Sequence, residues 1–391
     1  MLASGYAVHA MARSISQLCL IAHGIDQAKF RIPRILTKGH ALDSLLRPAL
    51  HVQGAWCHGF GYDLAVADAD MAKDTNNNVE VIARLLSHIY DTHKGLPQGL
   101  HLQQDNTSRE CKNQWIVNWA AKLVALGVFQ WVTLSYLTTG HTHEDIDGTF
   151  GQLTVKLAAE EFDDDSQVIA ILLRLLAGMG IDKAARQASR AYKLDEAADW
   201  HGWWAENSLR LSRLTGPEAP HWFRICRLKD LGAAHASELD VPVGSAKGMA
   251  APSEDDVVMV VRARMASPTV QQVLRLIQAG TCASMARVQP GGMHPRRAGG
   301  DETKIKVGRV AEALHQKGAL SDAARDYLVG WAGGTRPRAP RPTTYSFLSH
   351  SPQAQARRGV LLQDRRPPEA QLVQVAVLNV AGVPLPADDA P

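Results

Sequence analysis

The sequence has no apolar run of the roughly 18 to 20 residues needed to cross a bilayer. Its opening, MLASGYAVHAMARSISQ, has no signal-peptide apolar block. Membrane insertion and secretion are therefore not expected, and an intracellular setting is. Cysteine is scarce: Cys19, Cys57, Cys111, Cys226 and Cys282 are five, an odd number, widely spread and without a CxxC pair. That pattern argues against a disulfide framework or a structural zinc knuckle and for a reducing compartment. Also missing are GxxxxGK[ST], GxGxxG after a strand, HExxH and GxSxG. Nucleoside-triphosphate, dinucleotide, zincin and serine-hydrolase chemistries thus lose their local marks. No internal repeat is visible.

What is present describes a globular chain. Its 391 residues, 46% hydrophobic and 21% charged, suit about two domains with a proper core and exclude a wholly disordered, collagenous or coiled-coil protein. The net charge of +3 hides an asymmetry, because residues 287–367 carry 15 basic against 6 acidic side chains. Such a segment favours a polyanion through phosphate contacts, although basic Pro-rich tails also serve as solubilising linkers.

Up to about residue 160, short β-type runs alternate with helical periodicity, the mark of an α/β layer architecture. Apolar runs at 18–25, 50–55 and 59–67 read as three strands, with Gly54 and Gly59 to Gly61 near a hairpin turn. Val79, Ile82, Leu86 and Ile89 set a helix over 78–93, and 100–104 is a strand running into Asp105 and Asn106. A helix over 111–126, a strand over 129–137 and a helix capped by Thr142 complete the order β-β-β-α-β-α-β-α. That order predicts a ribonuclease H-like five-stranded mixed sheet flanked by helices over 18–160. Beyond it the expectation is a helical extension at 161–215, a small C-terminal α+β region at 216–335 and a Pro-rich, disordered tail at 336–391. The helical hairpin is expected at 302–331.

Three acidic segments, IDQAKFRIPR, LQQDN and GHTHEDID, stand at predicted strand ends or a helix start. In the ribonuclease H-like arrangement strands one and four are neighbours, so Asp26 and Asp105 would stand side by side. The last helix would bring Glu144, Asp145 or Asp147 over the same sheet edge. Two hard cations about 3.5 to 4 Å apart need such converging oxygens, and a site so built clamps the attacking and leaving oxygens of a phosphodiester. Periodicity selects Asp147, since Glu144 and Asp147 share a helix face with Phe150 while Asp145 is turned away by about 100 degrees. His141 is placed to complete a metal shell or shuttle a proton, and His143 could equally be a solvated loop residue. Lys29, Arg31 and Arg34 could meet phosphates or form a solvated basic turn.

These residues also carry a likeness. DQAKFRIPR, then LQQDN with KN seven residues after the aspartate, then GHTHEDIDGTFG, resemble a eukaryotic family of integrase-like, transposon-derived proteins with a ribonuclease H-like domain. The resemblance covers about residues 18–160, and more loosely the chain to about Phe347. It implies Asp26, Asp105 and Asp147 as the recurrent acids that hold Mg2+ or Mn2+, with His141, Asn106, Lys112 and Asn113 as surrounding polar positions. It implies a nucleic-acid partner, DNA ahead of RNA, hence a nuclear setting, and leaves oligomer formation open. The family usually carries a longer N-terminal region, so a truncated or decayed copy is one expectation.

Each acid also has a plainer explanation: Asp26 as a turn cap, Asp105 as a helix N-cap, and GHTHEDID as an acidic first helical turn. Three functions follow: a metal-dependent nuclease or transposase, a domesticated nucleic-acid-binding protein without catalysis, and a protein-interaction module.

Overall fold

The structure, a computed structural model, describes residues 17–25, 30–36, 45–136, 145–179, 188–205, 220–231, 253–262, 270–278, 301–334 and 345–350. The elements in chain order are β1 (Gln17–Gly24), β2 (His51–Cys57), β3 (Gly61–Ala67), α1 (Thr75–His93), β4 (Gly99–Gln104), α2 (Gln114–Ala125), β5 (Trp131–Tyr136) and α3 (Asp145–Leu157). There follow α4 (Asp165–Ala177), β6 (Arg190–Leu194), α5 (Trp200–Ala205), β7 (Trp222–Arg227), β8 (Val257–Arg262), β9 (Val270–Ile277), α6 (Asp301–Gln316) and α7 (Asp322–Gly333). The chain is a mixed α/β protein.

All nine strands lie in one sheet, in the order β6-β3-β2-β1-β4-β5-β7-β8-β9. The five strands expected from the sequence are its centre. β1 and β4 are parallel neighbours, in register from Gln17↔Gly99 to Ala22↔Gln104. β5 runs parallel beside β4, and β2 is antiparallel to both β1 and β3. The sheet does not stop at five strands, which corrects that expectation. β6 adds in parallel to β3, and β7, β8 and β9 continue antiparallel from β5. The physical reason is that β3 and β5, as edge strands, would expose unpaired N–H and C=O groups, and the added strands satisfy them. Region 161–215 accordingly holds α4 and α5 and also a strand. In region 216–335, β7 to β9 prolong the same sheet and α6 and α7 form a helical hairpin.

Side chains alternate between two apolar layers, as strand pleating dictates. Leu18, Leu20, Ala22, Leu100, Leu102, Val132, Leu134, Phe223 and Ile225 face one layer with α1 and α2. Ile21, Val52, Trp56, Tyr62 and Leu64 face the other, covered by α3, α4, α6 and α7. Parallel β1, β4 and β5 end at one edge of the sheet, and Asp105 follows β4 there. The hairpin joining β2 to β3 turns at Gly59, whose φ of 77° lies in the left-handed region open to glycine. Of residues 336–391, the stretch 345–350 is described. Tyr345 and Phe347 are buried in the α1 layer, and the Tyr345 hydroxyl donates to Glu80 at 2.5 Å.

Helix boundaries follow caps. α1 begins at Thr75 because Asp74 accepts from the Asn77 N–H, three residues ahead of the predicted start. α2 begins at Gln114 because Asn113 accepts from the N–H groups of Trp115 and Ile116. The plainer reading of Asp105 as its N-cap is thereby corrected. The four cysteines among the described residues are not in disulfides. Among the described residues no helix is long and apolar enough to cross a membrane.

Candidate functional site at the carboxyl edge of the parallel strands

Ala22 pairs with Gln104, so the residues that follow on these parallel strands, His23 and Asp105, leave the sheet at the same edge. Asp147, in the first turn of α3, reaches the His23 part of that edge: its Oδ1 is 3.5 Å from His23 Nε2. α3 is held there by Phe150, which stacks on the His23 ring with centroids 6.0 Å apart and lies over Gly54. A Cβ on Gly54 would stand 2.8 Å from the Phe150 ring, so the absence of a side chain at Gly54 lets α3 approach the sheet. Asp145 lies farther out, 53% exposed against 27% for Asp147, with its carboxylate 3.8 Å from His58 Nε2.

Asp105 closes a local turn. Its Oδ1 accepts from the Asn106 N–H at 2.6 Å and its Oδ2 from the Thr107 hydroxyl at 2.5 Å. A carboxylate oxygen has a second lone pair, so this turn leaves ligand capacity on both. Close by, Lys73 Nζ stands 3.5 Å from Glu110 and 3.6 Å from where a Cβ on Gly24 would be. Burial raises the Glu110 pKa, the Lys73 ammonium pulls it back, and the Asp105 charge adds to the rise. Tyr62, fully buried, is pushed well above the usual phenol range by burial and then by the charge of Asp147.

Lys112 sits on the other side of the sheet. It is 1% exposed, its ammonium lies 5.5 Å from the Tyr136 ring, and Nζ has no hydrogen-bond partner among the described residues. Burial lowers its pKa to about 8. Gln104, at the end of β4, is likewise buried, and its side-chain amide has no partner among the described residues. Asn113 spends its side chain on the α2 cap and donates to Thr75 Oγ1 at 2.7 Å and Ser108 O at 2.9 Å. It is a joint between α1 and α2.

The structure thus brings Asp105 and Asp147 to one edge, with Asn106 in the Asp105 turn. It does not bring Arg31 or Arg34 there. Arg31 is exposed and bridges to Ala49, and Arg34 bridges to Phe162 and donates to Ala158 O at 3.4 Å. Asp26, Lys29, His141, His143 and Glu144 lie outside the described residues. Among the described residues no group of three or more His, Cys, Asp or Glu side chains is placed to hold a metal ion. Sequence reasoning missed His23, Lys73 and Glu110. The signal for His23 was available, a polar residue closing the apolar run LCLIAHGI, whereas Lys73 and Glu110 sit in no pattern.

The chain belongs to the family described as "Domain of unknown function (DUF7869)", which matches residues 41–236. That span runs from β2 to β7 and includes both Asp105 and Asp147. No curated protein and no solved structure matches the chain.

Proposed function

We propose that the protein is an integrase-like phosphoryl-transfer domain acting on nucleic acid, built on a ribonuclease H-like core. Asp26, Asp105 and Asp147 would be its acidic ligands to Mg2+ or Mn2+, with His141 beside them. The observation that carries this reading is the parallel β1–β4 pair with Asp147 reaching the His23 end of it. The central order β3-β2-β1-β4-β5 with antiparallel β2 supports the same core.

The donor types fit a hard cation, since Asp105 and Asp147 offer carboxylate oxygens at one edge. Two divalent cations at such an edge supply charge stabilisation to the attacking and leaving oxygens of a phosphodiester. The chain's own part is positional. Phe150 on Gly54 fixes the height of α3 above the sheet, His23 orients the Asp147 carboxylate, and the Asn106–Thr107 turn orients that of Asp105. Lys73 places a cation beside that edge, where it can offset phosphate charge.

Thermal melting of the full chain with and without millimolar Mn2+ tests the reading, together with cleavage of a labelled oligonucleotide. The expected result is a raised midpoint and metal-dependent cleavage, both lost in Asp105→Asn and Asp147→Asn. An identical midpoint, or a shift that survives Asp105→Asn, removes the metal ligands. A second reading, a domesticated nucleic-acid-binding protein without catalysis, is favoured by one observation: both Asp105 oxygens already serve a turn. Salt-dependent binding without cleavage would select it.

A further inference from the structure

An ion pair open to solvent stands at the approach to the carboxyl edge. Lys73 lies in the connection from β3 to α1, just ahead of the Asp74 cap. Both β1 and β3 are antiparallel to β2, so they run the same way and this connection leaves the sheet at the edge where β1 and β4 end. The Lys73 stem crosses the end of β1, with Cε and Nζ each 3.6 Å from where a Cβ on Gly24 would be. Glu110 lies in the loop from β4 to α2 that Asp105 opens. The two side chains meet at 3.5 Å, with 36% of Lys73 and 18% of Glu110 exposed.

The acid of this pair is anchored through its backbone. Glu110 O accepts from Asn78 Nδ2 at 3.2 Å, and Asn78 Oδ1 accepts from Gln53 Nε2 at 2.6 Å, which ties the loop to α1 and β2. The next two N–H groups, of Cys111 and Lys112, both donate to Thr107 O at 3.0 Å. The base sits instead at the end of a four-carbon stem with rotatable bonds. Their contact is longer than the roughly 2.7 to 2.9 Å of a strong charge-assisted hydrogen bond, and an ion pair so open to water is weak. Glu110 also feels the charge of Arg109, an exposed neighbour, and that of Asp105. When Lys73 moves off, Arg109 still supplies a positive charge to the acid left behind.

We propose that the Lys73–Glu110 pair is a phosphate latch: Glu110 is a positioning residue that parks Lys73 at the rim of the carboxyl edge, and a phosphate of the bound nucleic acid takes the ammonium from it. The proposal rests on the nucleic-acid reading of that edge and deepens it by naming the residue that aims the cation. A fixed acid with a mobile base is the arrangement a competing anion can open. Glu110 draws the ammonium away from the Asp105 carboxylate, and Lys73 leaves it where a phosphate oxygen offers a closer contact.

The test is a double-variant cycle read by fluorescence anisotropy of labelled oligothymidylate, titrated with the full chain in EDTA at several salt concentrations. Lys73→Ala is expected to weaken binding about tenfold and to reduce the salt slope by about 0.7, the loss of one single-strand phosphate contact. Glu110→Gln is expected to strengthen binding about fivefold, because the parked ammonium is released. In the Lys73→Ala background the same Glu110→Gln change should alter affinity by less than about twofold, since the remaining long-range field is screened at physiological salt. Lys73→Arg keeps the charge and should keep the slope. Far-ultraviolet dichroism and melting check each fold, and Lys73→Gln serves where Lys73→Ala does not fold.

An ion pair that merely ties the two connections together predicts lowered melting midpoints in both single variants and no gain of affinity in Glu110→Gln, and that result overturns the latch. So does a gain in Glu110→Gln of equal size with and without Lys73, which would be the field of the acid alone. In either case oligonucleotide binding by the wild type, with metal-dependent cleavage lost in Asp105→Asn, leaves the proposed function standing. Absence of any oligonucleotide binding at low salt overturns both.

Discussion

Acids buried against α1 and acids at the carboxyl edge of β4 live under different rules. Glu80, 1% exposed, accepts from Arg84 Nε at 2.7 Å, from the Ala198 N–H and Trp200 Nε1 at 3.0 Å each, and from the Tyr345 hydroxyl at 2.5 Å. Asp63, fully buried in β3, takes a two-armed grip from Arg190 at 2.9 and 2.5 Å. Burial pushes its pKa up and the Arg190 guanidinium holds it back. These carboxylates are satisfied by partners fixed within the fold and are sealed from solvent, so a cation does not reach them. Asp105 and Asp147 instead meet a local turn and a histidine. The difference separates acids that hold segments together from acids with capacity left for a ligand.

The largest expected effect lies on the interior side. Glu80→Ala takes the acceptor from three donors that link α1 to Ala198, Trp200 and Tyr345, and from Arg84 of α1 itself, and breaking a buried charged network costs about 3 to 5 kcal/mol. Urea unfolding followed by tryptophan fluorescence should show it. A loss under about 1 kcal/mol would erase the contrast with the edge acids.

Gly54→Ala comes next, because the added Cβ would stand 2.8 Å from Phe150, a ring on a helix that cannot simply swing away. Overpacking of this kind costs about 1 to 3 kcal/mol. It should also shift α3 and so Asp147, lowering any metal-induced rise in melting midpoint more than the stability loss alone accounts for. Equal midpoint shifts in wild type and variant would detach α3 placement from the site.

Lys112→Met is expected to stabilise, by about 1 to 2 kcal/mol at neutral pH, since it removes a buried ammonium that has no hydrogen-bond partner among the described residues. The pH dependence has a definite sign. The folded-state pKa falls to about 8 from the ordinary 10.5, so between those values the unfolded chain binds more protons and stability rises with pH. The burial penalty is complete below about pH 8 and is relieved toward 10.5. Denaturation midpoints across that window should rise in wild type and flatten in Lys112→Met. A parallel rise in both would assign the dependence to other groups.

The same contrast marks what was legible in the sequence. Apolar runs such as LCLIAHGI announced the central strands, and their order with the helices fixed which are neighbours, because a parallel β1–β4 pair needs a crossover helix. β6 escaped notice: RAYKL is short and charged, and it is a strand only because β3 offers an open edge and Asp63 a partner for Arg190. β7 and β8 fall in the region expected as a small α+β part, but nothing local says that they join β5. The alternation Trp222, Arg224, Cys226 is a readable period of two whose meaning depends on that pairing. Strand ends and helix periodicity placed Asp105 and Asp147 at one edge of the sheet, and the β1–β4 register and the His23–Asp147 contact agree with that placement. Lys73 and Glu110 were not placed, because their meeting is made by the fold between β3 and α1 and by the loop after β4.

The smallest effect on stability is expected at the edge acids, and its smallness is the point. Asn at position 105 still accepts from the Asn106 N–H through its amide oxygen. The His23–Asp147 contact at 3.5 Å is 28% and 27% exposed, a setting in which ion pairs contribute about 0 to 1 kcal/mol. Asp105→Asn and Asp147→Asn should therefore each change urea stability by less than about 1 kcal/mol without added metal, while both abolish the Mn2+-dependent midpoint shift. Interior and edge acids would then differ in opposite directions by two measurements on the same variants. Losses from the edge variants as large as that of Glu80→Ala, in metal-free buffer, would make Asp105 and Asp147 structural caps and leave the carboxyl edge without a free acid among the described residues.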